Sequence, residues 1–292
     1  MSSTIGFIGT GKMGSSIISR ILQKYEVTGA YNRTKEKLNQ FPSLRQYSTP
    51  ALLAADSDII FIMLTDDNAC SEVIFGEDGV LSMIRPKSIM VNLSTVSHNF
   101  AVSCSYALSE HAVHYLDCPV LGSTVPAEQG KLTALVSGEE EIFNIVKGVI
   151  ETFSSHVLFL GPAGNAIKAK LANNLLMATN FVVASEAILF LEKSGFKRET
   201  ALDILLNGGG SSKALESKVD DIKSEDFIPQ FTLNHIIKDI RYGEDLCNTI
   251  NFPMLSMASA LQIYNIAESM GLGNLDYSAV FKSFRLSLGM KK

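Results

Sequence analysis

The 292-residue sequence predicts an α/β fold: a doubly wound parallel-sheet domain over residues 1–161, then an all-α domain over residues 162–292, entered through a long helix at about 165–193. Three observations carry that prediction. Short apolar runs rich in Ile and Val recur through the first 160 residues, with helical segments between them. They are continuous rather than alternating, as strands buried on both faces of a parallel sheet are, and their alternation with helices is the pattern of a doubly wound domain. A glycine-rich turn, Gly9-Thr10-Gly11-Lys12-Met13-Gly14, separates the first apolar run from the first helical segment. After Gly161-Pro162-Ala163-Gly164 the strand-like runs give way to helical ones.

Taken in order, the first strand falls at residues 4–8, an amphipathic segment runs to Tyr25, and a second strand falls at 26–31. Further strands of the same largely parallel sheet are expected at 58–64, 88–93, 114–117, 132–137 and 156–160. Residues 165–193 contain few breakers, and Leu171, Leu175 and Leu176 make that helix mostly buried. Its apolar stretch is interrupted by Thr179, Asn180, Ser185 and Glu186, which suits a helix inside protein better than a membrane span. Helices are then expected at 198–206, 214–220, 232–249, 253–269 and 277–288.

The turn has the G-x-G-x-x-G spacing in the context that gives it meaning: after a strand, opening a helix, inside one βαβ unit. Gly9 allows the tight turn, Gly11 offers no side chain to block a pyrophosphate, and Gly14 lets helix and strand pack closely. The amides of Lys12, Met13 and Gly14 open the helix and face the phosphates. The reading is a Rossmann dinucleotide site. Where an NAD site places an acid at the end of the second strand, this chain has Asn32, Arg33 and Thr34, with Lys37 one turn later. An acid would repel a 2′-phosphate; an amide, a guanidinium, a hydroxyl and an ammonium surround it with donors and positive charge. NADP(H) is therefore expected over NAD(H). A dinucleotide domain followed by a helical one usually places its active site in the cleft between them.

Composition narrows the partners. A chain 46% hydrophobic and 19% charged can bury a sizeable core, and a net charge of −5 without a basic stripe argues against nucleic acid. The four cysteines show no C-x-x-C pairing and the five histidines no ligand spacing, so thiols in a reducing, cytoplasmic setting and no metal are expected. The first residues enter a strand at once, which leaves no room for a signal peptide. Neither a membrane nor a nucleic acid is an expected partner. A small-molecule substrate is, and so is a second copy of the chain, as homodimer or homotetramer, because the long helix keeps an apolar face.

Three more segments bear on chemistry. Asp117-Cys118-Pro119-Val120-Leu121-Gly122-Ser123 follows a strand, so it belongs at the carboxyl edge of the sheet, where its small residues and amides suit a carboxylate. It is also readable as a simple Pro/Gly turn. At the long helix, Lys170 and Asn174 are four residues apart and share one face. An ammonium there can protonate a carbonyl oxygen as it becomes an alkoxide, with the amide orienting it. Lys168 falls on a different face. Lys238-Asp239 is, by itself, a charged patch on a helix.

Together these segments resemble the β-hydroxyacid dehydrogenase family, which includes 3-hydroxyisobutyrate dehydrogenases and the glyoxylate/succinic semialdehyde reductases, over nearly the whole chain. The family's opening Gly-Phe-Ile-Gly-x-Gly-x-Met-Gly is matched by residues 6–14, its substrate loop by 117–123, its catalytic helix by 161–174 and its Lys-Asp pair by Lys238-Asp239. The resemblance implies that Lys170 is the general acid/base and Asn174 its substrate-orienting partner. It implies that Gly122 and Ser123 contact a substrate carboxylate, that Leu64 and Thr95 contact the cofactor, and that Lys238 closes over both ligands from the helical domain. Asn32-Arg33-Thr34 looks like the NADPH-using reductase branch.

Two residues depart from the family pattern. Leu121 stands where the family has Ser, removing a hydroxyl from the carboxylate site, and Ala166 replaces the last glycine of the catalytic helix motif. The expected activity is reversible reduction of a small aldehyde or 2-oxo acid to its hydroxyacid. An imine reductase of related fold, favoured by Leu121, and a non-catalytic NADPH-binding module are the alternatives; retention of Lys170 and Asn174 speaks against both.

Overall fold

In the computed structural model, which describes residues 3–290, the chain divides after Lys170 into two units. In the first, six strands form one sheet: β1 (Ile5–Ile8), β2 (Val27–Tyr31), β3 (Arg45–Gln46), β4 (Ile59–Ile62), β5 (Ile89–Asn92) and β6 (His114–Asp117). They stand in the order β3-β2-β1-β4-β5-β6, and every pair is parallel. β1, β4 and β5 are buried at every residue, which is why they read as apolar runs, with Asn92 at the end of β5 the one polar member. The chain leaves β1 toward β2 on one side and returns as β4 on the other. The carboxyl end of β1 is therefore the switch point at which open α/β sheets bind ligands.

Helices α1 (Lys12–Ile21), α2 (Pro50–Ala55), α3 (Asp67–Phe75) and α4 (His98–Ser109) connect these strands. α1 turns Ile17, Ile18 and Ile21 inward, each fully buried, and Phe7 stacks on Phe61 with ring centroids 6.3 Å apart. Burial of each such side chain is worth about 1.5–3 kcal/mol, enough to fix the face that α1 presents to the sheet.

The later strands depart from the single sheet expected. β7 (Val120–Leu121), β8 (Leu132–Val136) and β9 (Ser154–Phe159) form a separate sheet, with β7 antiparallel and β9 parallel to β8. α5 (Thr124–Glu128) lies between β7 and β8, and α6 (Glu140–Ile150) between β8 and β9. The reversal has a local cause. Pro119 has no N–H to continue the β6 ladder, and Asp117, still paired with Asn92 of β5, also joins Ser137 through an antiparallel bridge. β3 and β7 are two residues each, too short to leave a period in the sequence.

The second unit is helical. α7 (Asn165–Lys193) carries the chain into it, followed by α8 (Arg198–Asn207), α9 (Lys213–Glu216), α10 (Val219–Ser224), α11 (Leu233–Thr249), α12 (Ser256–Ala267) and α13 (Val280–Ser287). Its core includes Phe181, Tyr264, Tyr277 and Phe281, with Phe181 edge-on to Tyr277 at 5.3 Å. The single helix expected at 214–220 is instead α9 and α10. Lys218 leaves helical geometry between them (φ −121°, ψ 11°), and its buried ammonium pairs with Asp276 at 2.8 Å. A buried charge needs such a partner, and that need overrides local helix propensity. The helix expected at 277–288 opens as a 3-10 turn, Tyr277–Ala279, before α13.

Leu176, expected among the residues that bury the long helix, is instead 56% exposed, as are Val183 (57%) and Phe190 (70%), each seven residues further on. α7 is long and apolar enough to cross a membrane by length and composition, and half of its most apolar window is buried inside the protein.

Candidate active site

The glycine-rich turn can be tested position by position. Gly9 has φ +97°, and a Cβ there would lie 2.1 Å from the Met63 carbonyl oxygen. A Cβ at Gly14 would lie 2.0 Å from the Gly9 carbonyl oxygen. The fold itself therefore demands glycine at both places. Gly11 is different: its φ is −68°, open to any residue, and an added Cβ would meet nothing within 4 Å. The protein's own packing gives no reason for glycine there, whereas close approach of a pyrophosphate does. Helix α1 adds to this. α2, α3 and α4 are capped by the side chains of Thr49, Asp66 and Ser97, but α1 starts at Gly11 with no side-chain cap and no acid in its first turn. These residues fit a dinucleotide phosphate at the helix start.

Asn32 also has a structural job. Its Oδ1 accepts the Thr10 N–H at 3.0 Å and its Nδ2 donates to the Thr34 carbonyl at 2.8 Å, so both ends of the amide tie the turn to the end of β2. Arg33, Thr34 and Lys37 remain exposed beside it. Gly11, Lys12 and Lys37 border one hollow of about 640 Å³, together with Arg20, Thr124 and Glu128. The Leu64 amide is held by the Ser94 hydroxyl at 2.8 Å, and the Leu64 side chain lies against the Gly9 turn. Thr95 follows Ser94 in the loop after β5.

The loop after β6 brings the next group together. Gly122 needs its glycine: φ is +126°, and a Cβ would press within 2.7 Å of Leu132. Ser123 occupies the cap position of α5, and its side chain makes no cap hydrogen bond. The Lys170 ammonium donates to the Val120 carbonyl at 2.8 Å, which fixes the lysine against this loop. Lys168 points elsewhere, to Asn165 Oδ1 at 3.1 Å on the surface. Asp117 is fully buried; its Oδ2 accepts the Gly164 N–H at 2.5 Å and the Ser137 hydroxyl at 3.0 Å. Burial pushes the Asp117 carboxyl above its ordinary range, while the Gly164 N–H and the Tyr115 and Ser137 hydroxyls pull it back.

In the helical unit, Asn174 is 2% exposed and its Nδ2 donates to Asp239 Oδ2 at 2.7 Å. The Lys238 ammonium lies 3.1 Å from Asp239 Oδ1 and over the Tyr242 ring at 5.2 Å. The pair that looked unremarkable in sequence is thus an anchor: Asp239 fixes the direction of the Asn174 amide and holds Lys238. Asn174 follows Lys170 by one turn of the continuous helix α7. No spacing rule announced Ser137 or Asp239, because both act across long sequence separations.

A parallel sheet with a dinucleotide-type turn at its switch point, followed by a helical unit, defines the class of two-domain nicotinamide-dinucleotide-binding proteins. Residues 4–161 match the family model of the NAD-binding domain of 6-phosphogluconate dehydrogenase. Residues 164–284 match that of the NAD-binding region of NADP-dependent 3-hydroxyisobutyrate dehydrogenase. The chain is 30% identical to 2-(hydroxymethyl)glutarate dehydrogenase of Eubacterium barkeri, over 99% of this chain and 97% of that one. It is also 30% identical to the cytokine-like nuclear factor N-PAC of Homo sapiens, over 96% of this chain, and spans about half (51%) of that protein's length. Among solved structures, 3-hydroxyisobutyrate dehydrogenase from Salmonella typhimurium shares the fold, with a TM-score of 0.87 at 24% identity over 96% of this chain and 99% of that one. The chain belongs to the β-hydroxyacid dehydrogenase family.

Proposed function

We propose that this protein is an NADP(H)-dependent oxidoreductase that interconverts a small aldehyde or 2-oxo acid and its hydroxyacid, with Lys170 as general acid/base. The observation that carries the reading is the half-buried Lys170 ammonium, held 2.8 Å from the Val120 carbonyl at the substrate-type loop. When bound, the reduced nicotinamide supplies a hydride. The protein's part is to manage charge and orientation. Lys170 donates a proton to the carbonyl oxygen as negative charge develops there, and takes it back in the oxidative direction. Asn174, its amide aimed by Asp239, orients the same oxygen. Gly122 and Ser123 hold the carboxylate through their amides, and Lys238 adds a second positive charge. Gly9, Gly11, Lys12, Met13 and Gly14 cradle the pyrophosphate, and Leu64 and Thr95 bound the cofactor. Arg33, Thr34 and Lys37 receive a 2′-phosphate, with Asn32 holding that segment to the turn.

The proposal extends to a cytoplasmic protein that works on small molecules and pairs with a second copy of itself. Leu176, Val183 and Phe190 line one face of α7, and such a row of large exposed apolar side chains is characteristic of an interface. A second reading rests on Leu121. It is partly buried at the end of β7, where the family places a hydroxyl, so a less polar carbonyl or an imine is the competing substrate.

The test follows NADPH and NADH absorbance with glyoxylate, succinic semialdehyde and a cyclic imine. Turnover of an aldehyde, with Lys170→Ala lowering kcat by about 10²–10⁴-fold at nearly unchanged cofactor affinity, is the expected result. Normal turnover by that variant refutes the assignment of Lys170. Turnover of the imine alone favours the second reading, and turnover of none returns the chain to a binding module.

A further inference from the structure

Lys170 acts from the sixth residue of α7, so whatever fixes the start of that helix decides where its ammonium lies. The opening amides of a helix have no partners within it. Here two amides at this start are taken by buried side chains from distant sequence. Asp117 Oδ2 accepts the Gly164 N–H at 2.5 Å, and Ser137 Oγ accepts the Ala166 N–H at 3.0 Å. The Ser137 hydroxyl in turn donates to Asp117 at 3.0 Å, so the two acceptors form one unit. Their backbones are joined as well, Asp117 N–H to Ser137 carbonyl at 3.0 Å and the reverse at 2.9 Å. Both side chains are 0% exposed.

The carbonyl of Gly164, in the next peptide, is also held. His98 Nδ1 lies 3.3 Å from the Gly164 carbonyl oxygen, and Gly164 adopts φ +89° with His98 packed where a Cβ would go. The far end of the lysine closes the circuit: Val120, whose carbonyl accepts from Lys170, lies three residues after Asp117 in the same loop. One carboxylate therefore sits at the root of both the helix that carries the lysine and the loop that receives it. A carboxylate is a costly way to fill a core, and an apolar residue of similar size serves stability as well or better. Its use here points to direction rather than to packing.

We propose that Asp117 and Ser137 are positioning residues that set the location of the Lys170 ammonium for proton transfer, without touching the reactants. This rests on the reading of Lys170 as the proton donor.

The experiment measures kcat, aldehyde KM and NADPH affinity for Ser137→Ala and Asp117→Asn, each made in the wild-type and in the Lys170→Ala backgrounds. The latter are assayed for residual turnover at high enzyme concentration. Small misplacements of a catalytic group cost up to about a hundredfold in rate. Ser137→Ala is expected to lower kcat about ten- to a hundredfold while NADPH affinity stays within about twofold. In the Lys170→Ala background the same substitution is expected to cost little more, because the group it positions is already gone. Equal losses in both backgrounds, or wild-type kcat in Ser137→Ala, overturn the proposal. Should Asp117→Asn not fold, the Ser137→Ala cycle decides alone, since it removes only one hydroxyl. Normal turnover by Lys170→Ala itself instead overturns the reading on which the proposal rests, and is seen separately in the single variant.

Discussion

Substituting Gly11 and Gly14 of the β1–α1 turn by alanine separates what the fold requires from what a ligand requires. At Gly11 the backbone is already in a conformation open to alanine (φ −68°, ψ −176°), and the new methyl meets no protein atom within 4 Å. Replacing glycine where the conformation suits alanine typically gains about 0.4–1 kcal/mol through the unfolded chain. Alanine is a poorer helix cap than glycine by a comparable amount, so the two terms nearly cancel. Gly11→Ala should therefore unfold within about 3 °C of wild type, since each kcal/mol moves Tm by about 2–4 °C in a chain of this size. Its methyl nevertheless occupies the space left for a pyrophosphate, and NADPH affinity should fall at least about tenfold, or about 1.4 kcal/mol. Gly14→Ala is the control of opposite kind: its Cβ would lie 2.0 Å from a backbone oxygen, and overpacking of that sort costs about 1–3 kcal/mol or more. The assays are thermal unfolding with and without NADPH and a titration of nicotinamide fluorescence. Saturating NADPH at about a hundred times Kd should raise the wild-type stability by about 2.7 kcal/mol and raise Gly11→Ala much less. Wild-type NADPH affinity in Gly11→Ala would refute the reasoning, because then no phosphate passes over that residue.

The remaining predictions concern the cofactor, the oligomer and pH. Arg33→Ala should weaken NADPH binding about tenfold more than NADH binding, the worth of one charge-assisted hydrogen bond at about 1.5 kcal/mol; equal losses in parallel titrations contradict a 2′-phosphate site at Arg33. Phe190→Glu places a charge on the most exposed of the three aligned α7 side chains and should leave monomers in light scattering, whereas an unchanged mass removes α7 as the interface. Asp58 accepts from the Thr4 amide and hydroxyl and pairs with Arg85 at 2.9 Å, and the Thr4 amide bond is the leading cause that lowers its carboxyl below the ordinary 3.8. A lowered folded-state value means that this stabilisation is present above pH 3.8 and is lost as pH falls through the folded value. Asp58→Asn should thus lower Tm near neutral pH, and the gap to wild type should narrow below pH 3.8; a constant gap in a Tm-versus-pH series contradicts the assignment.

All seven strand-like runs became strands, and β1, β4 and β5 read most plainly because they are buried along their whole length, with Asn92 at the end of β5 the one polar residue among them. The glycine turn was legible because each glycine answers a separate steric demand. What escaped was fixed by contacts between distant residues. β8 and β9 look like further members of the main sheet, but a proline and a backbone bridge at Asp117 and Ser137 send them into another one. The break between α9 and α10 depends on the buried pair Lys218–Asp276, whose members lie 58 positions apart. Asn32 was legible as a departure from an acid, yet its structural duty toward Thr10 and Thr34 needed coordinates.

Leu121 is where the site turns from reaction to substrate. It ends β7 with its Cα paired to Thr133, one residue beyond the Val120 carbonyl that holds Lys170. A leucine at that register leaves the lysine's contact intact, since that contact is made by backbone, and it changes only what a substrate meets beside it. Gly122 keeps its strained conformation regardless, because φ +126° and the Leu132 contact are properties of the loop rather than of residue 121. On the proposed function, proton transfer and acid recognition are therefore separable in this loop. Restoring the hydroxyl with Leu121→Ser should lower KM for a carboxylate-bearing aldehyde several-fold, with kcat little changed, as expected of an interaction made equally in ground and transition states. A change confined to kcat would place Leu121 in the lysine's own environment instead.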